Sequence, residues 1–169
     1  MVDIAKLTAL AIAYDAGDAR RVQHFLKVYA FCRVIGQREG LDADTQNTLE
    51  AAAVLHDIGI HEAERKHGSC AGKYQEMEGS AVAAPLLAEA GADEAEIARV
   101  LWLIAHHHTY NASEDTDFRI LLEADFLVNA YEDALPHDAC EQACSRIFRT
   151  KAGRSFLSDL YLQKPYSAG

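Results

Sequence analysis

Four ionisable side chains fall on helix faces that the sequence otherwise fills with apolar residues. The four are His24, His56, Asp57 and Asp125; the apolar residues at helical spacing from them are Val28, Phe31 and Ile35, then Leu49, Ala52 and Ala53, then Leu121 and Val128. A carboxylate on such a face must be paired, coordinated or protonated, because burying it bare costs many kcal/mol. Taken singly, each histidine could be a hydrogen-bonded core residue, and each aspartate could belong to an ion pair.

Taken together, inward-facing imidazoles and carboxylates on different helices have one common explanation, which is a divalent cation at the centre of a helical bundle. Histidine is the commonest metal ligand in proteins, and carboxylates suit hard or borderline ions. We therefore expect a divalent metal ion as the cofactor. The donor set does not distinguish Mn, Fe, Ni, Co, Zn or Mg.

The run His106-His107-His108 is a second group of metal-binding side chains. Neighbouring helical residues point about 100° apart, so all three can face one ion only if the helix ends there. The alternative is a helix C-terminus at which partly protonated histidines interact favourably with the helix dipole. The residues by themselves leave both interpretations open.

Residues 61–77 form the longest polar stretch, and a loop of this length in a small domain is usually functional or disordered. His61 and Glu62, with Glu64 close by, could act as general acids or orient water. The basic residues that could contact a phosphate group are Arg65, Lys66 and Lys73 in this stretch and Arg21 beside His24. For each of these residues the alternative is a solvent-exposed surface charge.

The elements that must position these residues are helices, since the sequence shows hardly any strand-like alternation. We predict an all-α domain, a bundle of six or seven helices around a metal site. The predicted helices extend to about Tyr14, from about 18 to 37, up to about Asp57, over about 79–90, from Asp93 into the histidine run, from Asp117 onward, and over about 138–162 with an interruption near Gly153. Asp93 with Glu96 resembles a capping box, and Asp42 or Asp44 can cap the helix before Asp57. Pro85 is expected to delay or kink its helix.

The composition limits the partners of the chain. Its 169 residues suit one domain over 1–169, and 16 basic against 26 acidic residues give a formal net charge of −10. This charge disfavours bulk nucleic acid and an anionic membrane surface as partners. We expect a cytoplasmic protein, because no apolar run approaches the roughly 20 residues of a membrane helix and the N-terminus lacks a signal-peptide pattern. The four cysteines, Cys32, Cys70, Cys140 and Cys144, are expected to be free thiols. The oligomeric state is not predicted.

The ordered set His24 … His56-Asp57 … Asp125 resembles the H…HD…D signature of the HD-domain metal-dependent phosphohydrolase superfamily. The apolar helix that leads into His56-Asp57-Ile58-Gly59 resembles that family as well, and the resemblance spans about residues 18–131. It implies a divalent metal held by His24, His56, Asp57 and Asp125. In some relatives, including the HD-GYP phosphodiesterases, a histidine pair holds a second metal, and the pair here would be His106 and His107.

Two departures from these relatives are visible in the sequence. The neighbourhood in which they carry a further histidine, on the preceding short helix, contains Gln75, Glu76 and Glu78 here. The GYP tripeptide is missing too, so the resemblance does not imply hydrolysis of cyclic dinucleotides. A second metal therefore stays conditional.

The resemblance implies a phosphohydrolase that acts on a nucleotide or another small phosphorylated metabolite through a metal-activated water. The candidate catalytic residues are Asp57, His61 and Glu62, and the candidate substrate-binding residues are Arg21, Arg65, Lys66 and Lys73. Two alternatives stay open. One is a di-iron oxygenase of the HD type, and the other is a non-catalytic protein that binds a metal or ligand.

Overall fold

Several helices in the chain begin at the capping residues of the sequence. The computed structural model describes residues 1–164, and within them the chain forms nine α-helices, a short π-helix and no strand. The helices are α1 (Ile4–Tyr14), α2 (Ala19–Glu39), α3 (Ala43–Leu55), α4 (Ile60–His67), α5 (Gly72–Glu89), α6 (Glu94–His106), α7 (Thr116–Glu132), α8 (His137–Arg146) and α9 (Lys151–Leu157), followed by the π-helix Ser158–Leu162. The predicted all-α class is confirmed. The number of helices within the described residues exceeds the six or seven predicted.

Two of the predicted caps are present. The side chain of Asp42 accepts hydrogen bonds from the backbone N–H groups of Asp44 and Thr45 at the start of α3. Asp93 and Glu96 form the reciprocal capping box at the start of α6. Each cap satisfies backbone donors that have no partner inside the helix, and so each fixes where its helix begins.

Helix α3 is the centre of the fold. Every residue from Thr48 to His56 is buried, and α3 packs against α2, α6 and α7. The small side chains of Ala51, Ala52 and Ala53 let the neighbouring helices approach closely. The end of α3 therefore lies at the meeting point of several helices.

The polar stretch 61–77 was predicted as a loop, and this prediction is wrong. It contains α4 and the first turn of α5, with only a short connection after the left-handed Gly68. Helix α4 is strongly polar on one side and buries only Ile60 and Ala63. A single turn of apolar residues gives too little periodicity to be recognised in a sequence.

Helix α5 starts earlier than predicted, at Gly72, and continues past Pro85 to Glu89. Proline removes one backbone donor, so the carbonyl of Ala81 loses its helical partner. Both Pro85 and Ala81 are exposed, and water can therefore satisfy that carbonyl.

The interruption predicted near Gly153 lies a few residues earlier, between α8 and α9. Thr150 caps α9 by accepting a hydrogen bond from the backbone N–H of Gly153, which places Gly153 in the first turn of the helix. None of the helices within residues 1–164 has the length and apolar character needed to cross a membrane. The four cysteines are free thiols.

Candidate metal centre

Four of the predicted donor residues meet at the end of α3. His24 is on α2, His56 and Asp57 directly follow α3, and Asp125 is on α7. His24 Nε2 lies 3.2 Å from both His56 Nε2 and Asp125 Oδ1, and 3.5 Å from Asp57 Oδ2. His56 Nε2 lies 3.6 Å from both of these carboxylate oxygens. Ligand atoms about 2.1 Å from one ion lie roughly 3.0–3.5 Å from each other, so these spacings fit a shared ion.

The hydrogen bonds of the imidazole rings determine which nitrogen of each ring faces this centre. Nδ1 of His56 bonds to the carbonyl of Ala53 at 2.9 Å, and Nδ1 of His24 bonds to Glu132 Oε2 at 2.9 Å. A carbonyl can only accept, and an ionised carboxylate can only accept, so Nδ1 is the donor in both rings. In the neutral ring Nε2 then carries the lone pair that a metal requires.

Asp57 also faces a second group of donors. Its Oδ1 lies 3.4 Å from Nε2 of His107, and His108 offers a ring nitrogen to the same group. Nδ1 of His107 donates to the carbonyl of Ile104 at 2.7 Å, which leaves the lone pair on Nε2. This Nε2 is fully buried and has no hydrogen-bond partner among the described residues. Asp57 therefore presents one oxygen to each group.

The second group contains His107 and His108, and His106 is not part of it. Helix α6 ends at His106. The ring of His106 stacks on Trp102, and its Nδ1 donates a hydrogen bond to the Trp102 carbonyl at 2.7 Å. The chain leaves the helix after this residue, so His107 and His108 turn to the opposite side, toward Asp57. The sequence predicted the pair His106 and His107, whereas the structure brings His107 and His108 together beside Asp57.

Charge in the first group is strongly stabilised. Burial opposes the charge of His24, but its hydrogen bond with Asp125 and the negative charge of Asp57 raise its pKa to about 9. Burial likewise opposes ionisation of Asp125, yet the hydrogen bonds from His24 and His56 hold its pKa far below the ordinary value. The charge of His56 lowers the pKa of Asp57 in the same way, again against burial. A divalent cation would replace the proton that His24 carries in this arrangement.

The pKa of His108 is lowered, whereas that of His24 is raised. Burial lowers the pKa of His108 to about 4, so the ring is neutral at pH 7. A neutral imidazole can bind a metal or accept a proton.

Two side chains on α7 hold the donors in place, and sequence reasoning missed both. Asn129 donates from Nδ2 to Asp125 Oδ1 at 2.9 Å, and Glu132 binds the ring of His24 and also Lys27. Asp125, Asn129 and Glu132 follow one another at intervals of four and three residues, which places them on one face of the helix. This polar spacing on a helix that carries a candidate ligand is the signal that could have found them.

A cavity of about 430 Å³ lies over the two donor groups. The donor residues that line it are His24, Asp57, His108 and Asp125, and the charged residues around them include Asp18, Arg20, Arg21, Glu64, Glu132 and Asp133. Arg21 Nε is buried and has no hydrogen-bond partner among residues 1–164. Its nearest carboxylates are Asp18, 3.6 Å from Nε, and Glu64, 3.5 Å from Nη2.

The other predicted basic residues lie elsewhere. Arg65 pairs with Glu62 at 2.6 Å, and Lys66 pairs with Glu78, both on exposed sides of α4 and α5. Lys73 lies over the ring of Tyr74. Within the described part of the chain, none of these side chains lines the cavity, and neither does Glu62.

His61 is held at the edge of the cavity. Its Nε2 lies 3.2 Å from Asp18 Oδ2, and its Nδ1 lies 3.6 Å from the buried Asp15. Only Asp18 of these three lines the cavity. The structure therefore brings Glu64 to the cavity, whereas His61 is connected to the cavity through Asp18.

Comparison with known proteins finds a family model and a solved structure that are similar to this chain. The sequence matches the HD domain over residues 21–136. Among solved structures, the chain is similar to a predicted HD superfamily hydrolase from an uncultured Thermotogales bacterium, with a TM-score of 0.63 and 27% identity over 94% of this chain and 83% of that chain. No curated protein matches the sequence.

Proposed function

The chain belongs to the HD-domain family, and from this we propose that it is a metal-dependent phosphohydrolase acting on a nucleotide or another small phosphorylated metabolite. The observation that carries the proposal is the convergence of the donor atoms of His24, His56, Asp57 and Asp125, with the Nδ1 atoms of both rings already committed to acceptors. Such commitment keeps the ligand nitrogen aimed at the centre.

We propose that His24, His56, Asp57 and Asp125 hold one divalent ion, and that Asp57, His107 and His108 hold a second. A divalent ion bound there would lower the pKa of water toward about 7 and would polarise a phosphoryl oxygen. The orphaned Nε2 of His107 supports the second position, because a buried polar atom without a partner carries an energetic penalty that an ion would remove.

Substrate recognition is assigned to the cavity. Arg21 is the basic residue among the predicted four that lines it, and its guanidinium, about a quarter exposed, is the group that would contact a phosphate oxygen. Glu64 lies beside the same guanidinium and is the candidate to donate a proton to the leaving group or to orient water. A cavity of about 430 Å³ suits a small metabolite, and the net charge of −10 argues against a long polyanion.

The test combines metal analysis with a panel of nucleotides and phosphomonoesters. We expect purified protein to contain a divalent metal and to release phosphate from at least one member of the panel. Asp57→Ala removes a carboxylate that faces both donor groups, so it should abolish both the bound metal and the activity. Glu62→Ala is the matched control, because Glu62 carries the same charge outside the cavity, and it should retain both.

Three other results would contradict the ligand assignment or favour a different function. Full metal occupancy in Asp57→Ala would contradict the ligand assignment. Two bound irons with uptake of O₂ would identify an oxygenase, for which the second donor group is equally suited. Bound metal without turnover of any phosphorylated compound would favour a binding protein.

A further inference from the structure

The ring of His108 is held differently from the other histidines of the centre. In His24, His56 and His107, Nδ1 bonds to a carboxylate or carbonyl oxygen outside the donor groups, and Nε2 faces the donor groups. In His108 the nitrogen that bonds outside the donor groups is Nε2, which lies 3.0 Å from Oε1 of Gln75. Gln75 is buried, and it lies at the start of α5, 33 residues before His108.

The amide of Gln75 has its own fixed orientation. Its Nε2 donates to the carbonyl of Cys70 at 2.7 Å. Since a carbonyl only accepts, the NH₂ group must point to Cys70 and the amide oxygen must point to His108. An amide oxygen also only accepts, so Nε2 of His108 carries the hydrogen. The lone pair of the neutral ring is then on Nδ1.

The packing around the ring supports this arrangement. The ring of His108 lies so close to Gly72 that a Cβ at position 72 would be 2.7 Å from its Cγ. The backbone N–H of His108 donates to Glu76 Oε1 at 3.1 Å, one residue from Gln75. The first residues of α5 therefore contact both the backbone and the ring of His108.

We propose that Gln75 is the positioning residue of His108: it holds the ring as the Nε2–H tautomer, so that Nδ1 is the nitrogen offered to the second donor group. The inference rests on the proposed function for the ion that Nδ1 would bind. The tautomer itself is a property of the metal-free chain. Gln75 thus contributes to the centre without contacting an ion.

The first test reads the tautomer directly. Side-chain ¹H–¹⁵N correlation spectra of metal-free protein at pH 7.5 distinguish a protonated from an unprotonated ring nitrogen. We expect His108 to show Nε2–H, whereas His24, His56 and His107 show Nδ1–H whenever the ring is neutral. An Nδ1–H signal for His108 in the wild-type protein would overturn the proposal without any variant.

The second test changes the amide. Gln75→Met keeps the length of the side chain but removes both hydrogen bonds, so His108 should show a mixture of tautomers. Gln75→Glu keeps an acceptor for His108 and should retain Nε2–H. Gln46→Met is the matched control, since Gln46 bonds to Glu50 on α3, outside the cavity, and it should leave His108 unchanged. If His108 keeps only the Nε2–H tautomer in Gln75→Met, the amide oxygen does not determine the tautomer. If both variants lose Nε2–H, an acceptor at position 75 is not sufficient to hold the ring, and the proposed role is also contradicted.

Metal titration by calorimetry separates this inference from the proposed function. Loss of an outer hydrogen-bond partner typically lowers metal affinity about 10–100-fold. We expect Gln75→Met to weaken the second of two ions by that factor and to leave the first unchanged. If wild-type protein binds one ion only, while the tautomer still depends on Gln75, the positioning role stands and the second ion of the proposed function fails. If Gln75→Met binds each of the two ions as tightly as the wild-type protein does, the inference is overturned.

Discussion

At the residue scale, one basic side chain is set apart from the others by its position in the fold. Arg21, Arg65, Lys66 and Lys73 carry the same charge in equally polar segments. Only the fold decides which of them lines the cavity, and among these four it is Arg21.

Arg21 and Arg65 therefore give a matched pair for a test of substrate binding. Hydrogen bonds to charged groups contribute about 1.5–3 kcal/mol, so Arg21→Ala should lower kcat/KM for a phosphorylated substrate about 10–100-fold. Arg65→Ala removes the same side chain from an exposed pair with Glu62 and should change kcat/KM less than twofold. Steady-state kinetics with the best substrate of the panel measures both values. An equal effect of the two substitutions would show that Arg21 does not contact the substrate.

The meeting of His24, His56, Asp57 and Asp125 was predictable because each interrupts an apolar helix face, where a polar residue needs a partner. The histidine run could not be assigned in this way. Whether His106 or His108 joins His107 depends on the residue at which α6 ends, because one further helical residue turns a side chain by about 100°. Helix ends cannot be read from a sequence to that accuracy. The structure ends α6 at His106, which leaves that ring on Trp102 and turns the next two toward Asp57.

At the element scale, the turn after α3 and the helix α5 approach more closely than side chains would allow. A Cβ at Gly59 would lie 2.5 Å from the backbone nitrogen of Gly79 and 2.8 Å from the carbonyl oxygen of Gln75. Gly59 itself has an ordinary φ of −78°, so the need for glycine comes from this contact and not from backbone conformation. The contact sets the separation between Asp57 and the first turn of α5.

Gly59→Ala should therefore weaken both the fold and the metal centre. The added methyl meets backbone atoms that cannot move aside, and overpacking of this kind costs about 1–3 kcal/mol. Urea denaturation of the metal-free protein measures this loss, and calorimetry should show weaker metal binding. Gly91→Ala is the control: Gly91 has a φ of +83° and open space around it, so its substitution strains the backbone by about 1 kcal/mol and should leave metal binding intact. Unchanged metal affinity in Gly59→Ala would argue against a positioning role for this contact.

Element prediction succeeded where a cap and an apolar stripe occur together and failed where they do not. Asp42 and the pair Asp93 and Glu96 marked the starts of α3 and α6 correctly. Helix α4 has no side-chain cap and buries two residues, so its sequence reads as a polar loop. The missed helix matters for the candidate site, because α4 places Glu64 at the cavity and Arg65 away from it.

At the scale of the whole molecule, the metal-free protein must hold together a centre that contains two carboxylates and several imidazoles. The ion pairs of His24 with Asp57 and Asp125 do this by keeping a proton on His24, whose pKa is raised to about 9 from 6.5. A group whose pKa is higher in the folded than in the unfolded chain stabilises the fold fully below the unfolded value. That contribution is lost as the pH rises through the folded value.

We expect the metal-free protein to lose stability between about pH 6.5 and pH 9, by about 3 kcal/mol at most. The raised pKa of His56 acts in the same direction. A bound ion replaces the proton, because metal ligands must be deprotonated. The increase in Tm on adding metal should therefore become larger from pH 6 to pH 8.5, by several degrees.

Thermal denaturation of metal-free and metal-loaded protein over this pH range measures the effect. His24→Gln removes the titrating ring, so the metal-free variant should lose less stability than wild type as the pH rises. His137→Ala, which changes an exposed histidine on α8, should follow the wild-type curve. A gain in Tm on metal binding that does not vary with pH would mean that the ion does not displace a proton from His24, and that the ion binds away from the end of α3.

At acid pH the dependence of stability on pH has the opposite sign. The lowered pKa values of Asp57 and Asp125 stabilise the fold above about pH 4, and this contribution disappears as the pH falls further.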